Sequence, residues 1–231
     1  MFEDIENKLP DFPLNALGKS AINKQKKRKA LLDSAYSLFT TIGFHKTTIL
    51  NIAMKAGVGK GTFYNYFQDK EDIRDELIRV KASQILDQAV RRLQQKLNEP
   101  GVDMDFSDKL IFLTDVIISS LARDLALLRF LSKSLSWGLL RNESSHRDED
   151  EVINFRTFVD EAFQKEGVHL RDPELLIFTL LATISATIDE VILRGEPVPF
   201  SEYKPYLYDT IRTLVRHATL PSQEEAPAPA E

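Results

Sequence analysis

Around residue 60 the chain carries side chains suited to contacting a polyanion. Lys60 offers a cation and Asn65 offers an amide, while Thr62 and Tyr64 add hydroxyl groups. Such groups donate to phosphate oxygens and bind the edges of nucleic-acid bases. With their neighbours they make a set of candidate contact residues: Thr48, Lys60, Gly61, Thr62, Tyr64, Asn65, Tyr66 and Lys70.

Local signals place these side chains on two short helices. Thr48 is a good N-cap, because its hydroxyl oxygen accepts a free backbone N–H of the first turn. Apolar residues recur at helical spacing up to Ala56, and Gly57 ends the helix because it adopts the left-handed conformation easily. A second segment begins at Gly59 or Thr62. Two short helices joined by a tight glycine turn predict a helix-turn-helix, whose second helix enters a DNA major groove.

The order and spacing of this stretch also carry a family resemblance. The string TT-x-x-x-IA-x-x-AGV-x-x-GTFY-x-YF-x-x-K resembles the DNA-binding signature of the tetracycline-repressor (TetR) family of bacterial regulators. The resemblance covers residues 24–75, and the remainder is similar only in being helical and of suitable length. It implies an all-α protein with an N-terminal three-helix DNA-binding domain and a C-terminal helical domain for ligand binding and dimerisation.

We divide the candidate contacts by the group that each would meet. Lys60, Thr62, Tyr64 and Asn65 are placed to meet bases or nearby phosphates. The other hydroxyls and cation, on Thr48, Tyr66 and Lys70, are better placed to hold the DNA backbone. Plain structural roles stay open beside these: Thr48 as a cap only, Tyr64 as part of the core, and Lys60 as a solvated surface charge.

A nucleotide-binding loop is a poor interpretation of the string GVGKGT. A phosphate-binding loop needs Gly, four residues, then Gly-Lys-Ser/Thr after a strand. Here Gly61 follows Lys60, Met54 stands where the first glycine belongs, and a helix precedes the loop.

The charge is unevenly distributed along the chain. Residues 24–70 hold nine basic and two acidic side chains, net +7, whereas the whole chain carries −5, so that the rest sums to −12. A basic module joined to an acidic body is typical of a DNA-binding protein whose second half has another task.

Four segments follow from composition and periodicity. We predict a flexible arm over residues 1–23, a DNA-binding domain over 24–74, a helical effector-binding and dimerisation domain over 75–218, and a disordered tail over 219–231. Basic residues at the start of the first helix, Lys24 to Lys29, are expected to meet phosphates or the minor groove. Further helices are predicted over 69–98, 107–122, 124–140, 149–166, 173–194 and 202–218.

The segment 175–188 is apolar nearly all round, which predicts a buried helix that is short for a membrane span. We expect the last helix to pair with it across a subunit boundary in a homodimer. The chain has no cysteine and no basic, apolar leader, which fits a cytoplasmic protein without a membrane partner.

Aromatic residues in the second domain suggest an apolar effector cavity, although aromatics at helical spacing are also typical of plain core. The candidate ligand contacts are Asp115, Arg129, Trp137, Phe155 and Phe158, with Arg156 and Asp189 as further polar anchors. No metal-type histidine spacing or nucleophile motif occurs, so we expect no cofactor and no catalysis. These patterns predict a repressor released from a palindromic operator by a small apolar ligand. The alternative is a DNA-binding regulator controlled by a protein partner.

Overall fold

The protein is all helical in the computed structural model, which describes residues 19–132 and 168–220. Eight helices are found there: α1 (Lys19–Thr41), α2 (Ile49–Lys55), α3 (Lys60–Tyr64), α4 (Lys70–Leu97), α5 (Phe106–Arg123), α6 (Leu125–Ser132), α7 (Pro173–Leu193) and α8 (Phe200–Ala218). These described ranges contain no strand, only an isolated antiparallel bridge between Leu170 and Thr219. The all-α prediction is confirmed.

The chain divides into two compact units, Met1–Leu77 and Ile78–Glu231, and α4 runs through the division. In the first unit α1 packs on α2 and α2 on α3 around a small apolar core. The fully buried side chains of this core are Leu31, Leu32, Ile52, Phe63, Phe67, Ile73 and Leu77. Helix α1 begins at Lys19, five residues before the start that the basic run suggested, so residues 19–23 are helical.

In the second unit α5 packs against α6 and α8, and α7 packs against the same two helices. Asp105 caps α5 by accepting from the backbone N–H of Asp108, and Asp172 caps α7 in the same way. The ends of α5, α7 and α8 lie within two residues of the predicted ends. Helix α6 covers the first part of the predicted 124–140 helix, and the predicted 149–166 helix lies outside the described residues.

Helix α7 differs from the fully buried helix that its composition predicted. Its 21 residues are long and apolar enough to cross a membrane by length and composition alone. One face, with Leu176, Leu180 and Ile188, is buried in the unit, whereas Leu175 and Ala182 are exposed. The sequence could not separate these faces, because both carry apolar or small side chains.

Candidate nucleic-acid interface

The turn between α2 and α3 is held by backbone hydrogen bonds. The N–H of Ala56 donates to the carbonyl of Ile52 at 2.9 Å, and the N–H of Val58 donates to that of Ala53 at 3.0 Å. Between them Gly57 has φ +70°, a conformation that a side chain would strain. Helix α3 begins directly after Gly59, the earlier of the two predicted starts. The predicted helix-turn-helix is present.

The start of α2 is held by a reciprocal cap. The Thr48 hydroxyl oxygen accepts from the Asn51 backbone N–H at 3.1 Å, and the Asn51 amide oxygen accepts from the Thr48 backbone N–H at 3.1 Å. This arrangement satisfies two otherwise free donors and is worth about 1 kcal/mol or more. Thr48 is therefore a cap, and because it is also exposed, its contact with the DNA backbone stays a prediction.

Helix α3 separates its core residues from its outward ones. Phe63 and Phe67 are buried and pack ring to ring, with centroids 5.7 Å apart. Lys60 and Tyr64 on α3 and Asn65, its C-terminal cap, are exposed. The three outward side chains differ in chemistry, so one short surface presents a cation, a phenol and an amide to the same partner.

The candidates on this segment differ in how much of each residue reaches solvent. Gly61 is exposed, but it offers only backbone groups, and Thr62 is half-buried. Tyr66 is buried at 8% exposure, so most of its ring belongs to the core. Tyr64 is 51% exposed and touches the edge of Phe63, with centroids 5.6 Å apart, so it leans on the core without entering it. The DNA contacts of all four stay predictions.

Lys70 lies in a tertiary site. Its ammonium donates to the carbonyl oxygens of Phe44 and Thr47 at 3.0 and 3.1 Å. The same nitrogen lies 4.4 Å from the centroid of the Phe44 ring, a cation–π contact. These bonds fasten the loop before α2 to the first residue of α4. Two of the three ammonium donors are thus used within the unit, which favours a structural role for Lys70 over the phosphate contact that the sequence predicted.

Arg28 joins α1 to α4, a role that no local pattern predicts. Its guanidinium pairs with Glu76, whose side chain is only 4% exposed, and lies 5.9 Å from the centroid of the Phe67 ring. On the same helix Lys24 and Lys27 are exposed. A helix about 10–12 Å wide does not fit a minor groove about 6 Å wide, so helical lysines at these positions suit phosphates instead.

The polar ligand candidates in the described part of the chain lie on three helices, Asp115 on α5, Arg129 on α6 and Asp189 on α7. Asp115 accepts from the Tyr208 hydroxyl at 2.6 Å and pairs with the Lys204 ammonium at 2.6 Å, which joins α5 to α8. Burial and this hydrogen bond raise the pKa of the Tyr208 phenol well above its usual range. Arg129 is exposed on α6, and Asp189 accepts from the Ser132 hydroxyl at 3.1 Å.

The aromatic ligand candidates Trp137, Phe155 and Phe158, together with Arg156, lie outside the described residues. Within those residues no group of three His, Cys, Asp or Glu side chains is arranged to hold a metal ion.

Residues 31–77 match the family model described as bacterial regulatory proteins, tetR family. The fatty acid metabolism regulator protein of Bacillus subtilis (strain 168) is 35% identical over 75 residues, 32% of this chain and 39% of that relative. The chain thus spans about two fifths of the length of that relative. The uncharacterized HTH-type transcriptional regulator YhgD of the same organism is 22% identical over 165 residues, 70% of this chain and 82% of that protein.

Among solved structures, the fatty acid degradation regulator FadR of Bacillus halodurans resembles the fold of most of this chain. The TM-score is 0.52 at 20% sequence identity, and the match covers 80% of this chain and 94% of that one. An all-helical body attached to a helix-turn-helix unit is therefore shared well beyond the short segment of sequence similarity.

Proposed function

The chain belongs to the tetR family of bacterial regulatory proteins, and we propose that it is a homodimeric repressor that a small apolar ligand releases from a near-palindromic operator. One observation carries the DNA-binding half of this proposal. Lys60 and Tyr64 on α3, the second helix of the helix-turn-helix, and Asn65, its C-terminal cap, are all exposed. In that position they reach base edges and phosphates when α3 enters the major groove.

Dimerisation is proposed because α3 is only five residues long. One such helix contacts few base pairs, so a two-fold protein on a two-fold site doubles the contacts, with half-sites about 34–36 Å apart or a multiple of that distance. The outward faces of α7 and α8 support the same conclusion. Leu175 on α7 is 60% exposed and Tyr206 on α8 is 71% exposed. Burying such faces against a second copy would remove apolar area from water.

The ligand half of the proposal rests on the second unit. Its apolar helices extend far beyond what DNA binding needs, and its acidic charge disfavours DNA contact. The Bacillus subtilis relative is named for fatty acid metabolism, so long-chain fatty acid derivatives are the first lipophilic compounds to test. A ligand releases the operator only if it binds the DNA-incompetent state more tightly. The alternative, control by a protein partner, remains the second candidate. As a transcription regulator without catalysis, the protein would act in the cytoplasm.

The DNA-binding half is tested by selecting bound duplexes from random oligonucleotides and footprinting the duplex that is enriched most. Sedimentation of the complex counts the protomers bound to it. We expect a symmetric footprint under a dimer, with affinity that falls steeply as salt rises because lysines displace counterions. Protection of one asymmetric half-site by a monomer would contradict the proposal.

The ligand half is tested by titrating fatty acid derivatives into the protein, with and without operator DNA, and measuring ligand affinity from the change in Trp137 fluorescence. Coupling of about 1–3 kcal/mol predicts operator affinity about 5–150-fold weaker with ligand, and ligand affinity weaker by the same factor with operator. Equal ligand affinities in both conditions would exclude that compound as an effector. Release of DNA by a protein, with no compound bound, would favour the alternative.

A further inference from the structure

Helix α2 carries two large apolar side chains on its outer surface. Leu50 is 51% exposed and Met54 is 67% exposed. They stand four residues apart, so they lie one above the other on the same face of the helix. We call this pair the α2 apolar stripe. Single exposed apolar residues are common on protein surfaces, but two adjacent ones on a seven-residue helix form a small apolar patch. Exposed apolar patches are typical of surfaces that bind a partner.

The stripe points away from the rest of its own unit. Ile52 and Ala53, on the inner face of α2, have no exposed surface. On another flank the Lys55 ammonium donates to the Ser37 hydroxyl of α1 at 2.7 Å. At 100° per residue, Leu50 and Met54 lie about 140° and about 100° around the helix from Lys55, on a third side of α2. Both side chains therefore lie off the buried face of α2 and leave more than half of their surface exposed.

The charges around the stripe identify the chemistry of its partner. Residues 44–68 contain three lysines, Lys46, Lys55 and Lys60, and neither an aspartate nor a glutamate. A surface without carboxylates and with several cations attracts a polyanion. Because α2 packs directly on α3, the stripe belongs to the helix beside the one that the proposed function places in the major groove. The apolar group that a duplex displays in that groove is the C5-methyl group of thymine.

We propose that Leu50, supported by Met54, contacts thymine methyl groups in each half-site, so that α2 contributes to sequence specificity beside α3. This inference rests on the proposed function, because it requires the duplex to be bound through the helix-turn-helix. It assigns α2 an apolar form of base recognition, distinct from the hydrogen-bonding recognition proposed for Lys60 on α3 and for Asn65, its C-terminal cap.

Deoxyuridine scanning tests the assignment on the full chain. In the duplex selected with the wild-type protein, each thymine is replaced in turn by deoxyuridine, which removes the methyl group and keeps every hydrogen bond. We expect one or two positions per half-site where the replacement weakens wild-type binding about threefold to fivefold, the value of one buried methyl group. Leu50→Ala should weaken binding to the thymine duplex by a similar or larger factor and should abolish the penalty at those positions. Met54→Ala should reduce the deoxyuridine penalty at the same positions without abolishing it.

Ile42→Ala is the matched control, because Ile42 is 46% exposed in the same unit but lies outside α2. It should keep the full deoxyuridine penalty. Circular dichroism should show all three variants folded, since each shortens a side chain that is about half exposed or more. A full penalty retained in Leu50→Ala and Met54→Ala, or no sensitive thymine at all, overturns the inference while wild-type binding to the selected duplex upholds the proposed function. If the wild type enriches no duplex, both fail.

Discussion

Replacing Lys70 by methionine should weaken the fold of the DNA-binding unit without removing a phosphate contact. Methionine keeps an unbranched chain of similar length but lacks the ammonium. The change therefore removes the two hydrogen bonds to the carbonyls of Phe44 and Thr47, together with the charge above the Phe44 ring. The loop before α2 then loses its attachment to α4, and Thr48 at the start of α2 loses its support.

The size of the loss follows from these contacts. A hydrogen bond to a charged group contributes about 1.5–3 kcal/mol, and a partly exposed cation–π contact adds about 0.5–1 kcal/mol. Lys70 is half-buried, so water replaces part of both terms. We expect the free energy of unfolding to fall by about 2–3 kcal/mol. Guanidinium unfolding followed by circular dichroism measures it, and faster amide hydrogen exchange in residues 44–55 should locate it.

Lys60→Met is the matched control. Lys60 is exposed and has no hydrogen-bond partner among the residues described, so its loss should change stability by no more than about 0.5 kcal/mol. It should instead change sequence preference by about 1–3 kcal/mol if Lys60 meets a base. Lys70→Met should leave the sequence preference and the salt dependence of binding unchanged when measured well below its melting temperature.

The opposite pattern would refute this reasoning. If Lys70 contacts phosphate, its loss from both protomers should lower the slope of log affinity against log salt by about 2. A Lys70→Met protein with wild-type stability and a slope reduced by that amount would show that the lysine serves the DNA. If Lys60→Met and Lys70→Met lost affinity equally for all DNA sequences, the proposed contact between Lys60 and a base would be wrong.

Three further changes test separate parts of the structure. Ala182 lies on the exposed face of α7, so Ala182→Glu should leave a folded protein whose dimers dissociate, as measured by sedimentation. The Ile188 side chain is only 3% exposed, so Ile188→Glu buries a charge and should unfold the unit at a cost of several kcal/mol, as measured by circular dichroism. Gly57→Ala should lower the free energy of unfolding by about 1–2 kcal/mol, measured by thermal unfolding, because a side chain strains the backbone at φ +70°. No atom lies within 4 Å of the added carbon, so a steric clash adds nothing to this cost. Tyr208 should ionise, by ultraviolet absorbance, well above the usual tyrosine pKa of about 10. Because the pKa of Tyr208 is raised in the folded protein, its contribution to stability is fully present below the usual tyrosine pKa and is lost as the pH rises through the folded-state pKa. Asp115→Asn removes the carboxylate that accepts from the phenol, so it should lower the pKa of Tyr208.

Much of the first unit could be predicted from sequence because its signals are local. The Thr48 cap, the Gly57 turn and the apolar spacing of Ile52 and Ala53 each act within a few residues, and the structure reproduces all of them. The same holds for the helix start at Asp69, which accepts from the Asp72 backbone N–H at 2.7 Å. Caps and glycine turns depend on backbone geometry that neighbouring residues decide, so a single sequence suffices.

The sequence by itself therefore determined the helices, the helix-turn-helix and the polar surface of α3. Only the tertiary structure decided how cations and apolar faces are used. Lys70 and Lys60 look alike in sequence, yet one bonds carbonyls 23 and 26 residues away while the other is exposed. Arg28 finds Glu76 across 48 residues. The outward faces of α2 and α7 likewise emerge only after packing, because periodicity identifies an apolar residue but a neighbouring helix determines whether that residue is covered.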